Sequence, residues 1–398
     1  MSSPAPARTA TLPSLTGLRA ICLVFVFVGH SLALGAFSDP EAAAGYNTLT
    51  GSGRIAFLAV SFFFVLSGFV LTWSAKPGQS ARRFWRRRLV RIGPCHLLIA
   101  AIALAQFAAA GETIRWGPAL ANIFLVQNWW PDQDLIMYQL NGATWSLSVE
   151  LLCYAMFPLL FRLISRLDPR ALWYWAIGLG LAAALIPLVS YPLLSGFPPS
   201  QFYPEGSWPQ LWALYFFPPV RSIEFVLGML LARIIATGRW PKIGILPAAL
   251  INLAAYLLLY FLPSPFGNAA LYPIPSALLI GAVATRDLSG RGSVLAGRFM
   301  VWLGELSFVF YISHLVAMFA VHAALAGDVV GYARGYTRVT FSTPVAIVFM
   351  VGLFVLCVAL AWVLRKTVEL PAMRRWSRPA SERAARRPDP QPQPQPQP

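Results

Sequence analysis

Ten apolar stretches, each about 18 residues or longer, recur along this chain and dictate what it can fold into. They fall at roughly 14–36, 55–75, 92–110, 143–163, 171–190, 212–234, 244–262, 269–286, 300–324 and 344–365. Each is long enough to cross the hydrocarbon of a bilayer as a helix. Only 12% of the residues are charged and 57% are hydrophobic, whereas soluble domains are about a quarter charged. The expected fold class is therefore an all-α polytopic membrane protein with about ten transmembrane helices. Pro273 and Pro275 make the eighth stretch a candidate for a kinked, tilted or re-entrant segment.

Basic residues orient these spans, because Lys and Arg are retained on the cytoplasmic side during insertion. With the N-terminus inside, 25 of the 31 Lys and Arg fall in cytoplasmic segments, 7 of them between residues 76 and 91. The opposite side receives Arg54, Arg115, Arg334 and Arg338, and Arg19 and Arg221 lie within spans. Both termini are expected to be cytoplasmic. The net charge of +16 follows from this bias, so no nucleic-acid partner is needed to explain it. Cys22, Cys95, Cys153 and Cys357 lack paired or metal-ligand spacing and read as packing residues, with no metal expected. Residues 1–13 and the basic, then Pro/Gln-rich, segment 372–398 are expected to be disordered tails around a membrane domain at 14–371.

Polar groups inside apolar spans are costly, so they carry the functional information. In Ser14 to His30, SLTGLRAICLVFVFVGH, eleven residues separate Arg19 from His30. That spacing sets the two within about 20° of each other on one helix face and roughly 16 Å apart along the axis. Such a face holds a fixed positive charge near one surface and an imidazole near mid-membrane, and must look into protein or a wet cavity.

Between residues 82 and 91, six arginines alternate with Phe84, Trp85, Leu89 and Val90, the pattern of an amphipathic interfacial helix, with Pro94 opening the next span. Its arginines, Arg87, Arg88 and Arg91 among them, read either as a topology signal or as a phosphate cradle. Glu150 lies within the fourth span and needs a partner or a role. Arg221 and Glu224, spaced i,i+3, read as a structural ion pair. In the ninth span, Glu305 and His314 face opposite sides of the helix, and His314 reads equally as a packed core histidine or a site residue. Ser67, with Gly68, reads as close helix packing.

Several motifs occur in a fixed order: Arg19 with His30, Ser67-Gly68-Phe69, Arg88-Leu-Val-Arg91-Ile-Gly-Pro94, Trp145-Ser146-Leu147 through Glu150, Glu224-Phe-Val-Leu-Gly228, Gly304 through Ser307 to Tyr311 and His314, and Glu369-Leu-Pro371. In this order the chain resembles the acyltransferase-3 family of integral membrane O-acyltransferases over residues 14–371. The unbroken SFFFVLSGFVLTWS and RRFWRRRLVRI segments are most similar to actinobacterial members that acylate macrolide antibiotics. The resemblance implies transfer of an acyl group from acyl-CoA to a hydroxyl on a sugar or polyketide acceptor. It also implies Arg19, Arg87, Arg88 and Arg91 as holders of the CoA phosphates, and His30 as general base, tuned by Glu150. His314, Ser67, Tyr311 and Glu369 are further candidates. An envelope polysaccharide is the alternative acceptor, and a transporter of an anionic or acylated solute is the alternative from another class.

Overall fold

The computed structural model describes residues 11–76, 78–137, 140–194, 196–200, 203–258, 261–262, 272–326 and 339–377. The expected disorder of residues 1–10 and 378–398 lies outside the described residues, as do Arg8, Arg334 and Arg338 of the charge distribution.

The described chain is built of helices, with one short antiparallel pairing of Pro199–Ser200 against Tyr203–Ser207. Prolines open many of the helices, since a first-turn residue needs no backbone donor and proline presets φ. Pro13 opens α1 (Pro13–Ser31), and Pro40, behind the Asp39 cap, opens α2 (Pro40–Leu49). The helices α3 (Arg54–Ser74), α4 (Ala81–Ala109), α5 (Trp116–Ile123), α6 (Gln133–Met137), α7 (Trp145–Arg166) and α8 (Leu172–Leu193) follow. After the short α9 (Trp208–Leu211) come α10 (Pro218–Ala236), α11 (Ile245–Leu258), α12 (Pro273–Leu288) and α13 (Arg298–Ala326). Finally α14 (Thr343–Leu364) passes through a π-helical turn at Arg365–Glu369 into α15 (Leu370–Trp376).

Seven stretches among the described residues are long and apolar enough to cross a membrane, and they include α1, α3, α4, α7, α8, α13 and α14. The other three expected spans coincide with α10, which carries Arg221, Glu224 and Arg233, and with α11 and α12, which have 14 and 16 residues. Three local expectations are corrected. Pro273 and Pro275 stand in the first turn of α12, where they start the helix and do not kink it. Pro94 lies inside α4, so the arginine-rich stretch and the third span form one helix of 29 residues. That proline removes one backbone donor, the one that Val90 would otherwise accept, and the turns on either side carry the helix across it. Residues 372–376, expected to begin the disordered tail, instead continue the helical path of the last span through Glu369 and Pro371 to Trp376.

Helices α1, α3, α10 and α13 form the inner layer. A Cβ on Gly68 of α3 would run into the carbonyl of Phe225 on α10, and one on Gly228 of α10 would run into the carbonyl of Val65 on α3. The same holds for Gly304 of α13 against Thr16 of α1. Such backbone contact through small residues is how membrane helices gain van der Waals energy without a hydrophobic drive. Outside this layer, α8 and α14 expose Tyr174, Ile177, Leu181, Val348, Val351 and Val355. An apolar surface of this extent fits lipid and would aggregate in water.

The α3–α10 seam yields a direct test. Gly228→Ala is expected to destabilise the protein by about 1–3 kcal/mol through overpacking. Gly93→Ala on α4 adds a Cβ that meets nothing within 4 Å, and should leave the melting temperature in detergent close to wild type.

Candidate active site

Arg19 lies on α1, Arg88 and Arg91 lie one turn apart on α4, and Glu150 lies on α7. All four line one cavity, together with Ser67 of α3 and Tyr311 of α13. Arg19 and His30 share a face of α1 by spacing, but α4 and α7 reach the arginine end only through tertiary packing. The cavity measures about 120 Å³, room for several water molecules. Its walls are mostly apolar, from Val60, Phe64, Leu71, Ile92 and Leu147.

Arg91 Nε lies 3.4 Å from Glu369 Oε1, and Arg365 contributes to the same cluster at 4.0 Å from Glu369 and 2.7 Å from Glu305. The Arg88 guanidinium stands 5.5 Å from the Phe84 ring centre and 5.7 Å from that of Tyr154, close enough for a cation–π contribution. The Nε atoms of Arg19 and Arg88 are buried and make no hydrogen bond. Buried donors of this kind are rarely left unsatisfied, and an anionic group entering the cavity would satisfy them. Arg19, Arg88 and Arg91 line the cavity with one carboxylate, Glu150, and Arg91 is paired with Glu369 outside that lining, so the site favours a negative ligand. Arg87 is not among the residues lining the cavity.

Glu150 does not orient His30 as the sequence suggests. Its Oε1 accepts a hydrogen bond from Ser67 Oγ at 3.3 Å and another from Tyr154 OH. Tyr154 follows Glu150 by one turn on α7 and lines the same cavity. Tyr154 is not among the residues expected from the sequence, where its i,i+4 spacing from a membrane carboxylate is the available signal.

The partner of His30 is His314. His30 Nδ1 and His314 Nε2 are 2.8 Å apart, and the ring planes differ by 28° with centroids 5.0 Å apart. These values describe two imidazoles bonded edge to edge. His314 is fully buried, with Phe310 stacked on its ring at 5.4 Å. His30 is only partly buried. It is also not at mid-span: it is the penultimate residue of α1, and Gly29 beside it abuts Ile55 and Ala56 in the first turn of α3. The imidazole pair is thus displaced toward the end of α1 opposite Arg19. The cavity reaches Tyr311, whose OH is 2.8 Å from Ser146 Oγ and whose ring centre is 5.9 Å from that of His314. A basic pocket, a tyrosine–serine bond and an imidazole pair therefore follow one another along the inner helices. Among the described residues, no group of three or more His, Cys, Asp or Glu is arranged to hold a metal ion.

The acyltransferase domain family matches residues 12–366. The chain belongs to the acyltransferase-3 family. This acyltransferase-3 member is 37% identical to Acyltransferase MdmB of Streptomyces mycarofaciens over 376 residues, 93% of each chain. It is 23% identical to peptidoglycan O-acetyltransferase OatA of Listeria monocytogenes over 338 residues, 76% of this chain and 49% of OatA. It is 29% identical to O-acetyltransferase OatA of Staphylococcus aureus over 181 residues, 40% of this chain and 26% of that relative. The chain therefore matches about half the length, or less, of the two peptidoglycan-type or O-acetyl relatives and nearly all of MdmB. No solved structure matches it. As an acyltransferase-3 protein with several membrane-length apolar helices, the chain is an integral membrane O-acyltransferase.

Proposed function

We propose that the chain moves an acyl group from acyl-CoA to a hydroxyl of a glycosylated small molecule such as a macrolide, with ten helices in the membrane and both termini cytoplasmic. The observation that carries this reading is the cavity in which Arg19 and Arg88 hold buried, unpartnered Nε donors beside Arg91. Phosphates of the carrier stay at this basic mouth, where guanidinium forks match their geometry. The slender thioester arm lies in the apolar part of the cavity; His30, roughly 16 Å along the axis of α1 from Arg19, and His314 do not line that cavity, so the arm passes Tyr311 to reach the imidazole.

His30 accepts the proton of the acceptor hydroxyl as that oxygen attacks the thioester carbonyl. The tetrahedral intermediate collapses with cleavage of the carbon–sulfur bond. The proton passes from His30 to the departing thiolate, so free CoA and the O-acyl ester are released and the imidazole is regenerated. The near full-length similarity to MdmB favours a small-molecule acceptor. The partial similarity to a peptidoglycan O-acetyltransferase makes an envelope glycan the second acceptor to assay. Family membership favours acyl transfer over solute transport.

The donor half of the proposal is tested at Arg88. Removing a charged hydrogen-bond donor typically costs about 1.5–3 kcal/mol, so Arg88→Ala should raise the KM for acyl-CoA about 10- to 100-fold with a small change in kcat. Arg82→Ala, at an exposed position of α4, should leave KM near wild type. Equal KM values for the two variants would remove Arg88 from the donor site.

A further inference from the structure

We infer that His314 is a positioning residue that holds His30 in a single tautomer, protonated at Nδ1, so that Nε2 is the atom that takes the acceptor proton. The inference rests on the proposed acyl-transfer role of His30. It starts from two backbone carbonyls. His314 Nδ1 lies 2.7 Å from the Tyr311 oxygen and 3.2 Å from the Phe310 oxygen. A carbonyl oxygen only accepts, so Nδ1 of His314 carries the hydrogen.

A neutral imidazole has one donor and one acceptor nitrogen. With Nδ1 the donor, Nε2 of His314 is left with a lone pair. That lone pair faces His30 Nδ1 at 2.8 Å, and a bond of this length between two nitrogens requires a hydrogen on one of them. The hydrogen therefore resides on His30 Nδ1, and the lone pair of His30 is on Nε2. Each step follows from the last, so the carbonyls of α13 fix the protonation pattern of a ring on α1.

The chain is then carbonyl, imidazole, imidazole. In the Ser-His-Asp arrangement a carboxylate binds the Nδ1 hydrogen of the base and fixes its tautomer. Here the second imidazole occupies that position, which suits a membrane interior better because a neutral ring costs less to bury than a carboxylate. Packing keeps the arrangement from rotating away. The Phe310 ring lies 8° from parallel with His314, and His314 is fully buried. As His30 gains a proton at Nε2 and becomes an imidazolium, its Nδ1 hydrogen strengthens its bond to His314, as charge-assisted hydrogen bonds do. Glu150 is engaged with Ser67 and Tyr154, so the carboxylate that the sequence offered for this task is occupied elsewhere.

The test compares His314→Leu with His314→Gln in purified full-length protein in lipid nanodiscs, using acetyl-CoA as the donor probe. Leucine removes the acceptor, whereas the amide oxygen of glutamine can reach the position of Nε2 and accept from His30 Nδ1. His314→Leu should lower kcat by about 10²–10⁴, the range of general-base help with loss of the correct tautomer in a triad, about 10⁴, as its upper end, and with donor KM close to wild type. His314→Gln should recover most of the lost kcat. Nitrogen-15 NMR of ring-labelled histidine should show His30 protonated at Nδ1 and bare at Nε2 in wild type and in His314→Gln, and a mixture of tautomers in His314→Leu. A His30 ring protonated at Nε2 in wild type, or a His314→Leu enzyme with unchanged kcat, would overturn the inference. The spectrum needs no turnover, so it separates the two ideas: the expected tautomer together with an active His30→Ala enzyme would sink the base assignment and leave the positioning geometry intact.

Discussion

Replacing His30 with alanine will lower the rate of acyl transfer by about 10²–10⁴ while acyl-CoA binding stays close to wild type, because general-base help is worth that much and the carrier phosphates are held elsewhere. The separation of the two effects is a consequence of geometry. Arg19 and His30 are eleven residues apart on α1, so the anion-binding end and the imidazole are roughly three turns apart. The residues proposed to hold phosphate, Arg19, Arg88 and Arg91, line the cavity, whereas His30 and His314 do not. Turnover of labelled acyl-CoA and equilibrium binding of the same donor, measured on one preparation, check both halves. A variant that lost donor binding and transfer in equal proportion would place His30 in the binding site and not in the chemistry.

The second large effect is structural. Arg221 and Glu224 are 1% and 3% exposed, their ion pair measures 2.7 Å, and Ser61 of α3 bonds to both at 3.1 and 3.2 Å. The guanidinium is further enclosed by the rings of Tyr215 at 4.9 Å and Phe64 at 5.2 Å. Removing one partner of such a pair leaves a buried charge uncompensated, which costs about 3–5 kcal/mol. Glu224→Ala should therefore sharply reduce folded yield and melting temperature in detergent. Replacing both residues with apolar ones of similar volume, Arg221→Met with Glu224→Leu, should restore much of the loss, because no charge then remains to be buried. If Glu224→Ala melted like wild type, the network would not be holding α3 against α10.

What the sequence made legible follows the range of the interactions. Seven of the ten expected spans could be read because apolar length is a property of a local window. The Arg221–Glu224 pair could be read because an i,i+3 spacing needs no knowledge of tertiary structure. Pro94 misled because proline more often starts a helix than sits within one, and nothing local announces that α4 runs through it. The place of His30 near the end of α1 was not legible for a related reason: where α1 stops depends on the turn after Ser31, where Gly35 adopts a left-handed conformation at φ 58°. The pairing of His30 with His314 was beyond local reading altogether. The two lie 284 residues apart, and periodicity along α13 gives the direction of His314 relative to Glu305 but not the helix it meets. Glu150 was expected to tune His30 as a carboxylate does in a catalytic triad, yet the partners it has, Ser67 and Tyr154, come from α3 and from its own next turn.

In the proposed reaction a thioester carrier is held by the arginines and consumed at the imidazole pair. The direct measurement is simultaneous release of free thiol and formation of O-acyl ester by the purified protein supplied with acyl-CoA, assayed against macrolide acceptors and envelope glycan. One thiol released per ester formed, abolished in His30→Ala and requiring higher acyl-CoA in Arg88→Ala, is the predicted result. Ester formation without release of thiol would contradict it.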